Sequence, residues 1–156
     1  MNITFEHPTI ADAEALVKLQ ILAFHDDARL YPGVMIGGPP GYDSVEAMIN
    51  ELGKHYCYKI ICDGQIIGGM TVFDEGQGHF HLDKIYLHPD YHNRGIGAQA
   101  MHFIEERYPS TKWTLDTPLY AVRNHHFYEK LGYVRVGEIE ADSITLVSYE
   151  KHLGSG

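Results

Sequence analysis

The sequence predicts an α/β fold of the α+β type, a mixed sheet of about seven strands with four helices on its faces. Three observations predict it. Period-two and helical apolar patterns succeed one another in the order β-α-α-β-β-β-α-β-α-β-β. The early strands are linked as hairpins, whereas the later ones alternate with helices. The composition suits one packed core, with 156 residues, 44% hydrophobic and 21% charged, and no internal repeat or linker. Residues 1–153 read as a single domain, and Gly154-Ser155-Gly156 as a tail outside it.

Residues 2–7 alternate, with Ile3 and Phe5 on one face, as a short strand does. Thr9-Ile10-Ala11-Asp12 has the form of a capping box with Asp in place of Glu. Ile10, Ala13, Leu16, Val17, Leu19, Ala23 and Phe24 follow at helical spacing, so 10–24 is a predicted amphipathic helix. Residues 26–43 read as a loop, because Gly33, Gly37, Gly38, Pro39, Pro40 and Gly41 do not sustain regular structure. A loop of this length in a compact domain is usually functional or mobile. Residues 44–52 read as a short helix that ends near Gly53. Strand-like runs follow at 56–62, 65–73 and 79–87, with the hairpin signal Asp63-Gly64 between the first two. Residues 95–108 are helical, with Ile96, Ala100, Phe103 and Ile104 on one side and Pro109 as the stop. A strand at 112–116, a helix at 123–131 stopped by Gly132, and strands at 133–138 and 144–149 complete the chain.

Charge and composition exclude some functions. The net charge is −9 with only 12 Lys and Arg, which argues against non-specific nucleic-acid binding. No apolar run approaches the roughly 20 residues of a membrane span. No leader pattern opens the sequence, so the expected compartment is the cytoplasm. Cys57 and Cys62 are five apart, which puts them on opposite faces of a strand and predicts that they do not pair. The 11 histidines raise metal binding and acid–base chemistry. His79 and His81 share a strand face, but a third ligand would have to come from His88, His92 or His125-His126, and no metal is expected.

The most informative stretch is Leu87-His88-Pro89-Asp90-Tyr91-His92-Asn93-Arg94-Gly95-Ile96-Gly97-Ala98. A strand ends, a loop turns, and two glycines open a helix. Glycines let backbone N–H groups crowd an anion, the helix N-terminus favours negative charge, and Arg94 adds a cation. A phosphate-bearing ligand fits these features. Residues 95–100 also match the dinucleotide fingerprint G-x-G-x-x-G/A, with Asp116 as a ribose-binding acid. Against that, residues 88–94 intervene between strand and glycine, and the preceding strands are hairpins. The plain alternative is two glycines that cap a helix.

Taken together, two motifs resemble a known family. Leu87-His88-Pro89-Asp90-Tyr91 followed by His92-Asn93-Arg94-Gly95-Ile96-Gly97 resembles the acetyl-CoA-binding signature of the GNAT superfamily of N-acetyltransferases, V-x-P-x-Y then Q/R-x-x-G-x-G/A. His92 departs from the usual Gln or Arg. Asn124-His125-His126-Phe127-Tyr128-Glu129-Lys130-Leu131-Gly132-Tyr133 is similar to the family's late N-x-x-x-Y-x-K-x-G-F/Y segment. Thr9-Ile10-Ala11-Asp12-Ala13 resembles its first helix. The resemblance implies a V-splayed sheet and acetyl-CoA as cosubstrate, its pantetheine lying between the strands at 79–87 and 112–116. It implies backbone contacts from Ile85, Tyr86 and Leu87, and amides of His92, Asn93, Arg94, Gly95, Ile96, Gly97 and Ala98 around the pyrophosphate. Asn124 and Phe127 would meet the cofactor from the next helix.

The implied reaction is attack of a neutral amine on a thioester. Tyr128 is the expected general acid, since a phenol of pKa about 10, against about 8.5 for a thiol, keeps its proton at neutral pH and can hydrogen-bond the departing sulfur. Without the motif, Tyr128 would read as a core tyrosine beside Phe127. His81 is the expected base, because it stands where some members of the family place a glutamate and an imidazole titrates near about 6.5. His79 and Asp83 share its face by strict alternation, and Asp116 or a chain of waters are alternatives. A backbone N–H near Tyr86 or Leu87 would stabilise the oxyanion. The acceptor side would be built from residues 24–42, the region near Tyr120, and residues 139–143. There Asp26, Asp27, Tyr31 and Tyr42 suit a cationic amine. The expected acceptor is a primary amine of a small molecule or peptide, and the alternative is an acyl-CoA sensor without turnover. A homodimer through the late strands is a further expectation.

Overall fold

A computed structural model describes residues 1–153; the expected tail at 154–156 lies outside the described residues. The strands are β1 (Ile3–Glu6), β2 (Tyr56–Cys62), β3 (Gln65–Gly76), β4 (His79–Leu87), β5 (Lys112–Pro118), β6 (Val134–Ala141) and β7 (Ile144–His152). The helices are α1 (Ala13–His25), α2 (Asp27–Leu30), α3 (Val45–Leu52), α4 (Ile96–Arg107) and α5 (Val122–Lys130). The described residues form one seven-stranded sheet in the order β1-β2-β3-β4-β5-β7-β6. β4 and β5 pair parallel, because α4 carries the chain across between them. The other neighbours are antiparallel.

Local chemistry explains most of these elements. Asp63 and Gly64 both take positive φ, 49° and 86°, as a two-residue hairpin turn between right-twisted strands requires. Asp12 Oδ2 accepts a bond from the Thr9 amide at 2.8 Å and holds the entry to α1. The expected loop at 26–43 contains one turn of helix, α2. Its residues precede Pro32 and the glycines, so nothing in Asp27-Ala28-Arg29-Leu30 opposes helix, and Arg29 Nε bonds Asp26 Oδ1 at 2.7 Å.

Two apolar layers sandwich the sheet. On one side Ile96, Ala100, Met101 and Ile104 of α4 meet Trp113, Leu115, Val147 and Tyr149. On the other, Ala13, Leu16, Val17 and Leu19 of α1 and Met48 of α3 enclose Tyr86. Each large apolar side chain buried this way contributes roughly 1.5–3 kcal/mol. Cys62 joins the first layer, whereas Cys57 lies 3.7 Å from Thr71 Oγ1 on the other face; both thiols are free.

The sheet splays where β4 leaves β5. Their pairing runs from His79↔Lys112 to Leu82↔Leu115 and stops there. Across β3 the register steps from Val72↔Leu82 to Thr71↔Lys84, so Asp83 is an extra residue, a β-bulge. This corrects the strict alternation expected along β4. Phe80 and Leu82 face the α4 layer before the bulge, and Ile85 and Leu87 face it after. Residues 84–87 keep β3 as partner and leave their other edge open toward β5.

Candidate active site

Two cavities meet at this opening. The first, about 630 Å³, is lined by Ile85, Tyr86 and Leu87 of β4, by His92, Asn93, Gly95, Ile96, Gly97 and Ala98 of the following loop and helix, and by Asn124, Phe127 and Tyr128 of α5. The motif residues therefore converge on one cleft, although they come from three elements. The second, about 1240 Å³, is lined by His81, Asp83 and Lys84 of β4, by Asp116 and Thr117 of β5, by residues 32–40 and 141–144, and by Tyr120. Phe24, Asp27, Ile85, Asn124 and Tyr128 line both.

The first cleft is shaped for an anion. Asn93 and Gly95 are left-handed, with φ of 63° and 79°, and turn the chain sharply into α4. The first amides of a helix have no acceptor within it and aim outward. A Cβ at Gly97 would stand 3.1 Å from the Phe127 ring, so glycine lets α5 close against the start of α4. His92 Nε2 bonds the Leu87 carbonyl at 3.2 Å and ties the loop to the end of β4. Arg94 does not line the cleft; its guanidinium stacks over the Tyr91 ring, 5.3 Å from the centroid. Asn124 Nδ2 donates to Thr117 Oγ1 at 3.1 Å, which fixes its side chain between the two cavities.

Tyr128 is buried among Phe127, Tyr133 and Tyr149 at ring separations of 5.1, 6.0 and 6.3 Å. Burial alone raises its pKa well above the ordinary phenol value. His81 stands in the second cavity. Its Nδ1 lies 2.7 Å from Thr114 Oγ1, and its Nε2 lies 3.9 Å from Asp116 Oδ2. Asp116 Oδ1 accepts a bond from Ser148 Oγ at 2.7 Å. Asp83, the bulge residue, reaches solvent at the cavity mouth, where the walls thin its hydration and raise its pKa against the opposing charge of Lys84.

Sequence reasoning placed Asp27 only in a broad acceptor loop. The fold puts it at the junction of the two cavities. The phenol of Tyr120 donates to its Oδ2 at 3.1 Å. Burial raises its pKa, the Tyr120 bond opposes the rise, and the neighbouring Asp26 adds to it. Nothing local marks Asp27, since its partner lies 93 residues away. Among the described residues, no group of three or more His, Cys, Asp or Glu side chains is placed to hold a metal ion. Among them also, no helix is long and apolar enough to cross a membrane.

A glycine-opened helix start, a splayed parallel pair and a tyrosine that lines two cavities meet at one site. The sequence profile of the acetyltransferase (GNAT) domain matches residues 53–135, more than half of the chain, and the protein belongs to that family. It is similar to the uncharacterized protein YrkN of Bacillus subtilis (strain 168), 39% identical over 94 residues, which are 58% of this chain and 50% of that protein. The chain thus spans about half the length of that curated relative. In structure it is similar to the ribosomal-protein-S18-alanine N-acetyltransferase of Escherichia coli, with a TM-score of 0.75, 14% identity, and 99% and 96% of the two chains covered. It is also similar to the PaiA N-acetyltransferase of Thermoplasma acidophilum in complex with coenzyme A, with a TM-score of 0.73, 19% identity, and 98% and 100% covered. A GNAT acetyltransferase of Elizabethkingia anophelis with acetyl-CoA bound gives a TM-score of 0.70 at 17% identity over 97% and 99%. At these identities the structures show a shared fold.

Proposed function

We propose that the chain transfers an acetyl group from acetyl-CoA to a primary amine of a small molecule or peptide by direct attack. The observation that carries this reading is the junction: the anion-shaped cleft and the carboxylate-lined cavity share Asp27, Asn124 and Tyr128. The open edge of residues 84–87 offers backbone donors and acceptors to an extended pantetheine. The amides of residues 92–98 surround the pyrophosphate position, as the glycines and helix start require. Two fold relatives, one in complex with coenzyme A and one with acetyl-CoA bound, support acetyl-CoA as the donor.

On the other side, the amine arrives as an ammonium and must lose a proton before it attacks. His81 takes that proton at Nε2, with Asp116 beside it holding the positive charge. Asp27 draws the ammonium toward the junction. Tyr128 stands ready to protonate the departing sulfur, because its burial keeps the phenol neutral. The decisive experiment is thiol release on mixing acetyl-CoA with a panel of amines and N-terminal peptides. Turnover with at least one acceptor is expected. Tight acetyl-CoA binding without thiol release across the panel would leave a sensor instead.

A further inference from the structure

His81 of the acceptor cavity ends a hydrogen-bonded row whose other members, Thr114 and His79, have no part in the reaction above. Trp113 and Leu115 of β5 point into the α4 layer, so Thr114 and Asp116 point to the opposite face. The parallel register sets Thr114 beside His81, with His79 two residues earlier on β4. Thr114 Oγ1 lies 2.7 Å from His79 Nε2 and 2.7 Å from His81 Nδ1.

We propose that Thr114 and His79 are positioning residues that hold His81 in the tautomer whose Nε2 is bare and basic. The proposal rests on the reading of His81 as the base. A threonine hydroxyl has one hydrogen to give and lone pairs to receive. The two imidazoles are its hydrogen-bond partners, so it donates to one and accepts from the other. In the first arrangement His81 donates Nδ1–H to Thr114, and Thr114 donates to His79 Nε2. His81 Nε2 then carries a lone pair toward the cavity. In the second arrangement the bonds reverse, and His81 Nε2 already carries its proton.

Only the first arrangement accepts the amine's proton. The 3.9 Å gap between His81 Nε2 and Asp116 Oδ2 is too long for a direct bond. An ammonium nitrogen about 2.8–2.9 Å from each fits beside it, at ordinary hydrogen-bond distances. One N–H bond of the amine breaks and one forms at Nε2. The resulting imidazolium keeps Nδ1–H on Thr114, and the hydroxyl hydrogen stays on His79. Every donor in the row is matched before and after the transfer.

His79 must be neutral for this. Burial lowers its pKa, with Lys112 of β5 and His81 in the same direction, while Glu75 of β3 and Glu150 of β7 oppose. Facing His81 are Asp116 of β5, the Phe73 ring of β3 at 6.1 Å, and the charge of Asp83 on its own strand. A proton on His79 Nε2 turns the Thr114 hydrogen toward His81 Nδ1 and selects the second arrangement. Acid therefore silences the base through two imidazoles.

The test pairs kinetics at saturating amine and acetyl-CoA with nitrogen-15 spectra of histidine-labelled protein. In the unsubstituted protein kcat falls in acid with a slope approaching two, and both rings show the Nδ1–H tautomer. Thr114→Val lowers kcat by about tenfold, a fraction of the 10²–10⁴ that a positioned base supplies. It also reduces the acid slope to one and shifts the His81 tautomer, without raising the KM for acetyl-CoA. Thr114→Ser restores all three. His79→Asn repeats the kcat loss and the single slope, and carries the test if Thr114→Val does not fold. Unchanged kcat, slope and tautomers in these variants overturn the proposal. His81→Gln with an unchanged pH profile overturns the reading of His81 as the base, even where the spectra still show the coupled rings.

Discussion

Tyr128 and Asp27 stand at one joint and act in opposite senses. Burial holds the Tyr128 proton in place over the whole working range of pH, so the phenol can act only as a donor. Tyr128→Phe should lower kcat about 10²–10³-fold with little change in the KM for acetyl-CoA. Steady-state kinetics read both values, and a variant with unaltered kcat refutes the acid role. Asp27 attracts the ammonium only as a carboxylate. Asp27→Asn should raise the KM for the amine about ten- to a hundredfold, the worth of a hydrogen bond to a charged group. Because burial raises its pKa, the anion is lost at higher pH than in an exposed aspartate, so the amine KM should climb as pH falls. Flat amine KM from neutral to mildly acidic pH would refute it.

Among the elements, β4 decides the site. It lies close against β3 because that strand carries two adjacent glycines. A Cβ on Gly68 would sit 2.2 Å from the Tyr86 carbonyl oxygen, and one on Gly69 would sit 2.3 Å from the Tyr86 hydroxyl. Gly68→Ala must push backbone against backbone. It should cost about 1–3 kcal/mol of stability, in line with other overpacked interiors. It should also weaken acetyl-CoA binding, since residues 85–87 line the cleft. A urea midpoint equal to that of the unsubstituted chain would contradict this account. The turn into α4 was legible in Gly95 and Gly97. The bulge at Asp83 was not read from the strict alternation expected along β4, although the apolar positions change phase there, from Phe80 and Leu82 to Ile85 and Leu87, and the register against β3 shows the extra residue.

For the whole molecule, the two layers hold many phenols away from water. Burial raises the pKa of Tyr86, Tyr108, Tyr128 and Tyr133 far above the ordinary value, and pushes Tyr149 up to about 12 with help from its bond to Glu129. In the unfolded chain these groups ionise near about 10. Below that pH both states keep their protons and stability is unaffected. Above it the unfolded chain releases protons that the folded one retains, so stability falls as pH rises. Urea midpoints measured from pH 8 to pH 11 should decline steeply above about 10. A midpoint that does not move would show that the phenols are solvated.

The sequence by itself determined the order of strands and helices, the hairpin at Asp63-Gly64, the glycine mouth of α4 and the motif tyrosine. Each depends on interactions within a few residues, through side-chain period, turn conformation or a capping bond, and these are written locally. Tertiary structure alone decided that Asp27 meets Tyr120 at the junction, that Arg94 turns away from the cleft, and that one threonine joins His79 to His81. Those contacts span 93 residues in the first case and 33 to 35 in the last. They depend on strand register and on the splay of β4 from β5. A single strand carries no record of either, because register is a property of the pair.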